Sequence, residues 1–405
     1  MNQELVRIVE NIARDKKIDK EFIFGDLEEA MISAIRKHFG QPEAEISVKI
    51  DRNSGEVAAF KNAEPIDIRD LGRIPAQTAK QVMIQRIRAD ERDSIFSEFA
   101  DRKGEIITGT VARYEGGSLI VNINHRTEGF MPKKEQIAGQ SHKVGERVRC
   151  LICEVKEISG QIKIILSRTH PDFIRGLFEL EVPEISENII EIKALAREAG
   201  YRTKVAVMSL DDKVDPVGAC VGVRGSRIRN IVDELGGEKI DIVRWNDSSQ
   251  VLITNSLMPA KVSETALCFE LGRATVVVDE DQLSLAIGKH GQNVRLAARL
   301  TRWDIDILTP TEYNQGIEQL TNCVKEVEGC DETFVDKFIA LGIISVLDLD
   351  DVGPDPLVNE LGISPELARK IVTTAGKLAR ELAVKDNKKK AESILKQEIW
   401  QADGE

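Results

Sequence analysis

The sequence predicts a multidomain α+β protein. Three observations carry that expectation: a fifteen-residue pattern that occurs twice, 66 residues apart; a run of short strand-like segments between residues 104 and 168; and a helical C-terminal stretch punctuated by glycines. At 405 residues, with 42% hydrophobic and 31% charged residues, the chain has apolar residues enough for several cores.

The N-terminal region reads as a small α/β domain with a helical connector. Leu5, Ile8, Val9 and Ile12 stand at helical spacing and predict a helix over residues 2–17. A second helix is expected over 26–39, with Leu27, Ala30, Met31, Ala34 and Ile35 inward. Residues 46–51 alternate as a strand, Asp51-Arg-Asn-Ser-Gly55 turns, and residues 56–60 return as its partner. Pro75 suits the first turn of a long helix running toward Phe99, with Val82, Met83, Ile87 and Ile95 as its apolar stripe.

Residues 106–111, 118–123, 147–152 and 161–166 are four strand candidates, and Glu128-Gly-Phe-Met-Pro132 reads as a tight corner between them. Strands this short and this numerous suggest a five-stranded barrel of the oligonucleotide-binding kind. A purely structural β domain is the alternative.

The duplicated pattern follows. Its first copy runs Asp215-Pro-Val-Gly-Ala-Cys-Val-Gly222-Val223-Arg224-Gly225 and on to Arg229; its second runs Asp281-Gln-Leu-Ser-Leu-Ala-Ile-Gly288-Lys289-His290-Gly291 and on to Arg295. In both, an Asp stands seven residues before a Gly-x-x-Gly loop, an Arg stands four residues after it, and the copy ends on Asp-Ile, at 241–242 and 306–307. Glycine at both ends lets the backbone turn tightly and approach another chain closely. The helix that follows presents free N–H groups and the positive end of its dipole, both suited to phosphate. Arg224, Arg227 and Arg229 in the first copy, and Lys289, His290, Asn293 and Arg295 in the second, supply cations and polar donors there. Such a loop in a helix–loop–helix–strand setting grips an RNA backbone. A single copy would be an ordinary helical corner; duplication with matched flanks favours binding.

The net charge of −12 is concentrated at one end: residues 304–405 hold 21 Asp and Glu against 11 Lys and Arg, which leaves −2 for the first 303 residues. No apolar run is long enough for a membrane span, and the first residues lack a signal segment, so a cytoplasmic protein is expected. Six cysteines in a chain of this length suggest no disulfide framework. Cys150 and Cys153 lie three apart on a strand and point to opposite faces, so neither a metal site nor a cofactor is expected. Residues 329–380 read as helical, and Leu341-Gly-Ile343 and Leu361-Gly-Ile363 place glycines at helix corners, as in helix-hairpin-helix architecture. The acidic residues around them, among them Asp348, Asp350, Asp351 and Asp355, favour a protein partner over phosphate.

That order of segments, and the text of several of them, resembles the NusA family of bacterial transcription elongation and termination factors. The residues that carry the resemblance are 177–185 and 202–207 on entry to the first repeat, 215–222 and 234–241 within it, 285–297 in the second, and 77–82 near the end of the N-terminal region. The likeness covers about residues 1–308. It implies an N-terminal RNA-polymerase-binding domain over 1–102, an S1 domain over 103–170 and KH domains over 171–246 and 247–310; beyond it the residues themselves suggest an acidic helix-hairpin-helix-like domain over 311–384 and a flexible tail over 385–405. It implies a monomeric, non-enzymatic regulator of pausing, termination and antitermination. Its expected partners are RNA polymerase near the RNA exit channel, nascent single-stranded RNA and other Nus factors, and no membrane.

Three departures stand out. The stretch between Phe60 and Ile74 is short for the family. The barrel lacks the aromatic platform of S1 domains: Gly117 and Ile120 replace aromatics and Pro132 replaces a histidine, leaving Arg113, Lys133 and Lys134 as candidate phosphate contacts. The acidic C-terminal region looks like one domain where some members carry two. The rival readings are a non-catalytic relative of exoribonucleases that join S1 and KH modules, and an RNA chaperone or ribosome-assembly factor. No nucleotide-binding or hydrolase motif accompanies the modules.

Overall fold

A computed structural model of the chain describes residues 6–7, 9–10, 13–14, 19–39, 45–62, 64–66, 84–85, 88–89, 92–124, 127–158, 161–330 and 332–402. They fall into two compact units: Met1–Gln136 with Ser141–Phe173, and Ile137–Gln140 with Ile174–Glu405.

In the first unit, the helix Lys20–Phe39 packs on a three-stranded antiparallel sheet of β1 (Ile46–Ile50), β2 (Val57–Lys61) and β3 (Glu64–Ile66). The helix begins six residues earlier than the sequence suggested, and β3 had no signal of its own. The alternation in β1 buries Ile46, Val48 and Ile50 against Ile23, Phe24, Leu27 and Ile35. Of the helix expected over 2–17, the described residues Val6, Arg7, Val9, Glu10, Ala13 and Arg14 are helical, and Val9 is buried. Of the helix expected from Pro75 to Phe99, residues 84–85, 88–89 and 92–100 are helical; Pro75 and the rest of that stretch lie outside the described residues.

The barrel closes in the order β4 (Ile106–Glu115), β5 (Ser118–Asn122), β6 (Glu128–Met131), β8 (Gln161–Ser167) and β7 (Arg147–Ile158). The segment read as a corner is therefore a strand, the third of the barrel along the chain. β6 pairs antiparallel with β5 and parallel with β8 through Gly129↔Ile164 and Phe130↔Ile165. Four residues ending at a proline carry too little periodicity to announce a strand, but closing the barrel leaves no free edge there. Val111, Leu119, Val121, Met131, Cys150, Ile152, Ile164 and Leu166 fill its interior.

Each repeat in the second unit is a helix, two antiparallel strands, two short helices around the glycine loop, and a last strand parallel to the second. The first has β9 (Ile190–Glu198), β10 (Arg202–Ser209) and β11 (Lys239–Arg244); the second has β12 (Glu264–Cys268), β13 (Arg273–Val277) and β14 (Asp304–Leu308). The Asp-Ile pairs occupy equivalent places: Asp241 lies 2.8 Å from Arg202 and Asp306 lies 3.6 Å from Arg273, each cation opening the neighbouring strand.

The two repeats share a core. Leu252, Leu296 and Leu300, from helices of the second, pack with Ala196, Ala206 and Val243 on the sheet of the first. A three-stranded sheet covered by its own helices leaves its other face to be buried by whatever follows it in the chain. The second sheet is covered likewise: Val277 packs with Tyr313 and Ile344, and Cys268 joins the core of the C-terminal helices. Arg273 ties that contact with hydrogen bonds to Asp348 at 2.8 Å and Asp351 at 3.2 Å. Gly342 and Gly362 stand at helix corners with φ of 79° and 66°, as expected. The last helix runs Pro365–Ala402, so where the sequence suggested a frayed tail after Lys385 the backbone is helical.

Candidate nucleic-acid interface

The two glycine loops have one backbone. The helix Pro216–Val221 stops at Gly222 (φ 74°, ψ 173°), a single turn follows in which Arg224 has φ 53° and Gly225 φ 75°, and the helix Ser226–Glu234 begins. The helix Glu280–Ile287 stops at Gly288 (φ 73°, ψ 173°), His290 has φ 54° and Gly291 φ 70°, and the helix Gln292–Thr301 begins. Corresponding angles agree to within 5°.

The glycines are required for different reasons. A Cβ on Gly222 would come 2.8 Å from Arg227 Cγ, and one on Gly288 would come 2.8 Å from Asn293 Cβ. The second glycines have room: the nearest atom to a Cβ on Gly225 is Ile228 Cγ2 at 3.9 Å, and nothing lies within 4 Å at Gly291. Their left-handed φ and the open space beside them leave the backbone accessible. Neither following helix has a side-chain N-cap, so no local side chain fills its first-turn N–H groups.

Val223, Arg224, Lys289 and His290 are exposed at the loop tips, and none of the three basic side chains forms an ion pair with a described residue. Arg229 and Arg295 occupy equivalent positions behind the tips. Each donates to the carbonyl of the loop residue five before it, Arg224 at 3.4 Å and His290 at 3.5 Å.

Two residues expected at the interface serve the loop from inside instead. Asn293 is fully buried, and its Nδ2 donates to the carbonyls of Leu257, Leu285 and Ala286 at 3.1–3.2 Å. Arg227, its counterpart, donates to the carbonyl of Ala219 at 2.7 Å and pairs with Glu184 at 2.9 Å. Ala219 and Leu285 are equivalent positions, so both side chains hold the end of the preceding helix under the first glycine. The matched upstream aspartates also diverge. Asp215 is an N-cap whose Oδ2 accepts from Gly218 N at 3.0 Å, whereas Asp281 lies inside the first turn of a helix that begins after Asp279.

Arg295 is not a free cation. Its Nε donates to Glu198 Oε1 at 2.6 Å, and Gln292 Nε2 donates to Glu198 Oε2 at 2.9 Å. The Arg295 guanidinium, before other causes, holds the Glu198 carboxyl below its ordinary range. Glu198 ends β9 of the first repeat, 97 residues away, and no sequence signal marked it.

On the barrel, Arg113 is likewise engaged. It grips Glu128 with two hydrogen bonds, at 2.7 and 3.0 Å, and the Arg113 side chain draws the Glu128 carboxyl below its usual range. Lys133 and Lys134 are exposed, with Lys134 3.8 Å from Glu135. The sequence reading missed Phe130. It lines an open groove of about 510 Å³ with Arg113, Ile120 and Glu128, and Lys163 Nζ lies 5.5 Å from its ring centre. Its position in the segment read as a corner hid it.

A closed five-stranded barrel followed in the chain by two glycine-loop modules whose loop angles agree defines a class: proteins with an S1-type barrel and tandem KH domains. Residues 168–245 match the NusA-like first KH domain, residues 249–315 the NusA-like second KH domain and residues 4–67 the NusA N-terminal domain. Proteins named "Transcription termination/antitermination protein NusA" are similar over most of the chain. The one from Halalkalibacterium halodurans is 39% identical over 347 residues, covering 78% of this chain and 90% of that protein. The one from Bacillus subtilis is 39% identical over 347 residues, covering 78% and 93%, and that from Rickettsia conorii 35% over 416 residues, covering 92% and 82%. The chain belongs to the NusA family.

Proposed function

We propose that this chain is an RNA-binding transcription termination and antitermination factor that associates with bacterial RNA polymerase near the RNA exit channel and holds the emerging transcript. The observation that carries the reading is the pair of superposable Gly-x-x-Gly loops, each opening an uncapped helix and each tipped by basic side chains. Backbone N–H groups and mobile cations meet phosphates there without reading sequence. Gly222, Val223, Arg224, Gly225 and Arg229, with Gly288, Lys289, His290, Gly291 and Arg295, form the contact surface of the repeats, and Lys133 and Lys134 are phosphate contacts of the barrel. Arg227 and Asn293 shape the loops from behind. Residues 1–102 contact the polymerase, consistent with the family match over residues 4–67. Other Nus factors join the complex. The chain acts as a monomer and carries no catalytic step.

A promoter-driven transcription assay with purified polymerase tests this. Adding the protein is expected to lengthen pauses at hairpin sites and to shift readthrough at an intrinsic terminator, and a Gly225→Asp, Gly291→Asp double variant is expected to lose both effects. Identical transcript patterns with and without the protein would overturn the reading.

A further inference from the structure

The turn between β9 and β10 of the first repeat lies beside the glycine loop of the second. Between them is a recess of about 410 Å³ lined by Glu198, Tyr201, Lys289, His290, Gln292 and Arg295. It falls within the size range of ligand sites. Gly200 at φ 82° turns the chain, Tyr201 N donates to Glu198 O at 3.0 Å, and Tyr201 O accepts from Lys239 N at 3.1 Å. The backbone is thus pinned on both sides of a ring that remains 65% exposed. The ring stands open to solvent on a backbone fixed at both ends.

We propose that Tyr201 is a stacking platform for one base of a single-stranded RNA whose backbone is held by the second glycine loop. This rests on the RNA-binding reading above. The recess combines what a nucleotide needs: a π-face for the base, and Lys289 and His290 on the rim for the adjoining phosphates. Glu198 and Arg295 answer each other's charge, which leaves exposed Lys289 and His290, unpaired among the described residues, as the cations for phosphate and the ring for the uncharged base. A strand so placed bridges the two repeats, because the ring belongs to the first and the loop to the second. Stacking on a π-face tolerates any base, so the site adds affinity more than sequence choice.

The test uses the full chain and a single-stranded RNA carrying 2-aminopurine at successive positions. Stacking on Tyr201 is expected to quench the probe at one position. Tyr201→Ala is expected to relieve that quenching and weaken binding about five- to a hundredfold, while Tyr201→Phe, which keeps the π-face, binds as the parent does. A mononucleotide at the same concentration is expected to displace nothing. If Tyr201→Ala binds and quenches like the parent while Gly291→Asp weakens binding, the base platform is wrong and the loop clamp stands. If neither variant changes affinity, the clamp falls as well. Displacement by the mononucleotide would show a site for a free nucleotide and would also overturn the proposal.

Discussion

Replacing Gly291 by Asp separates the loop's fold from its electrostatics. A Cβ at Gly291 meets nothing within 4 Å, so the substitution creates no clash. The cost is conformational: φ is 70°, and an L-residue in the left-handed region loses roughly 1–2 kcal/mol, with Asp among the side chains that tolerate it best. Against a domain stability of about 5–15 kcal/mol, the variant stays folded. The effect on RNA is larger. A carboxylate about 5 Å from a phosphate is repelled by about 0.8 kcal/mol at the dielectric of water and about 3 kcal/mol at an effective value of 20, equivalent to roughly a four- to two-hundredfold loss of affinity. Gly291→Ala carries the same backbone strain with no charge and serves as the control. The assay is fluorescence anisotropy of a labelled single-stranded RNA against variants whose melting curves are first compared. Asp weakening the complex while Ala leaves it nearly intact supports phosphate at the loop. Equal affinities for Asp, Ala and parent, all folded, would refute the clamp at this loop, and the same series at Gly225 tests the other.

Three further outcomes are expected. Asp348→Ala should destabilise the protein by about 2–3 kcal/mol in denaturant melts, because it strips Arg273 of a buried partner and removes the carboxylate that accepts from the backbone N–H of Ser345; an unchanged midpoint would show that the C-terminal helices are held by packing alone. Glu198, whose carboxyl Arg295 holds below the ordinary value of 4.5, contributes stability that is complete above that value and lost as pH falls through the lowered one, so Glu198→Gln should flatten the acid limb of a stability–pH curve, and parallel curves would discount the pair. Burial pushes the Cys220 thiol up to about 12, which leaves about a thousandfold less thiolate at pH 8 than an ordinary thiol of 9.0 would have, so native Cys220 should resist alkylation until denaturant is added; rapid native labelling would mean the first glycine helix opens freely.

The glycine loops could be read from their own residues, because their conformation is local. A first glycine at φ near 74° and a second in the left-handed region can be met by few other residues, so the pattern forces the shape wherever it occurs between helices. The spacing of Arg229 and Arg295, one helical turn beyond the loop, places them behind the tips by the same local logic. Four of the five barrel strands, with two of the three strands of the first sheet and most of the helix before it, were legible from alternation and helical periodicity.

What each side chain meets depends on packing across the fold. Asn293 and Arg227 look like ligand residues in the text, but Asn293 is buried with its amide given to the preceding helix, and half-buried Arg227 turns one guanidinium nitrogen to Ala219 and Glu184. Arg113 and Arg295 look free, but each meets a carboxylate brought by another strand, Glu128 in one case and Glu198 in the other. β6 became a strand because the barrel needed closing, and that brought Phe130 to the groove. Tyr201 became a candidate only when the turn that carries it came to rest beside a loop 88 residues further along the chain. Backbone shape follows from neighbours in the chain; the pairing of charges and the placing of rings depend on neighbours in space, which packing alone selects.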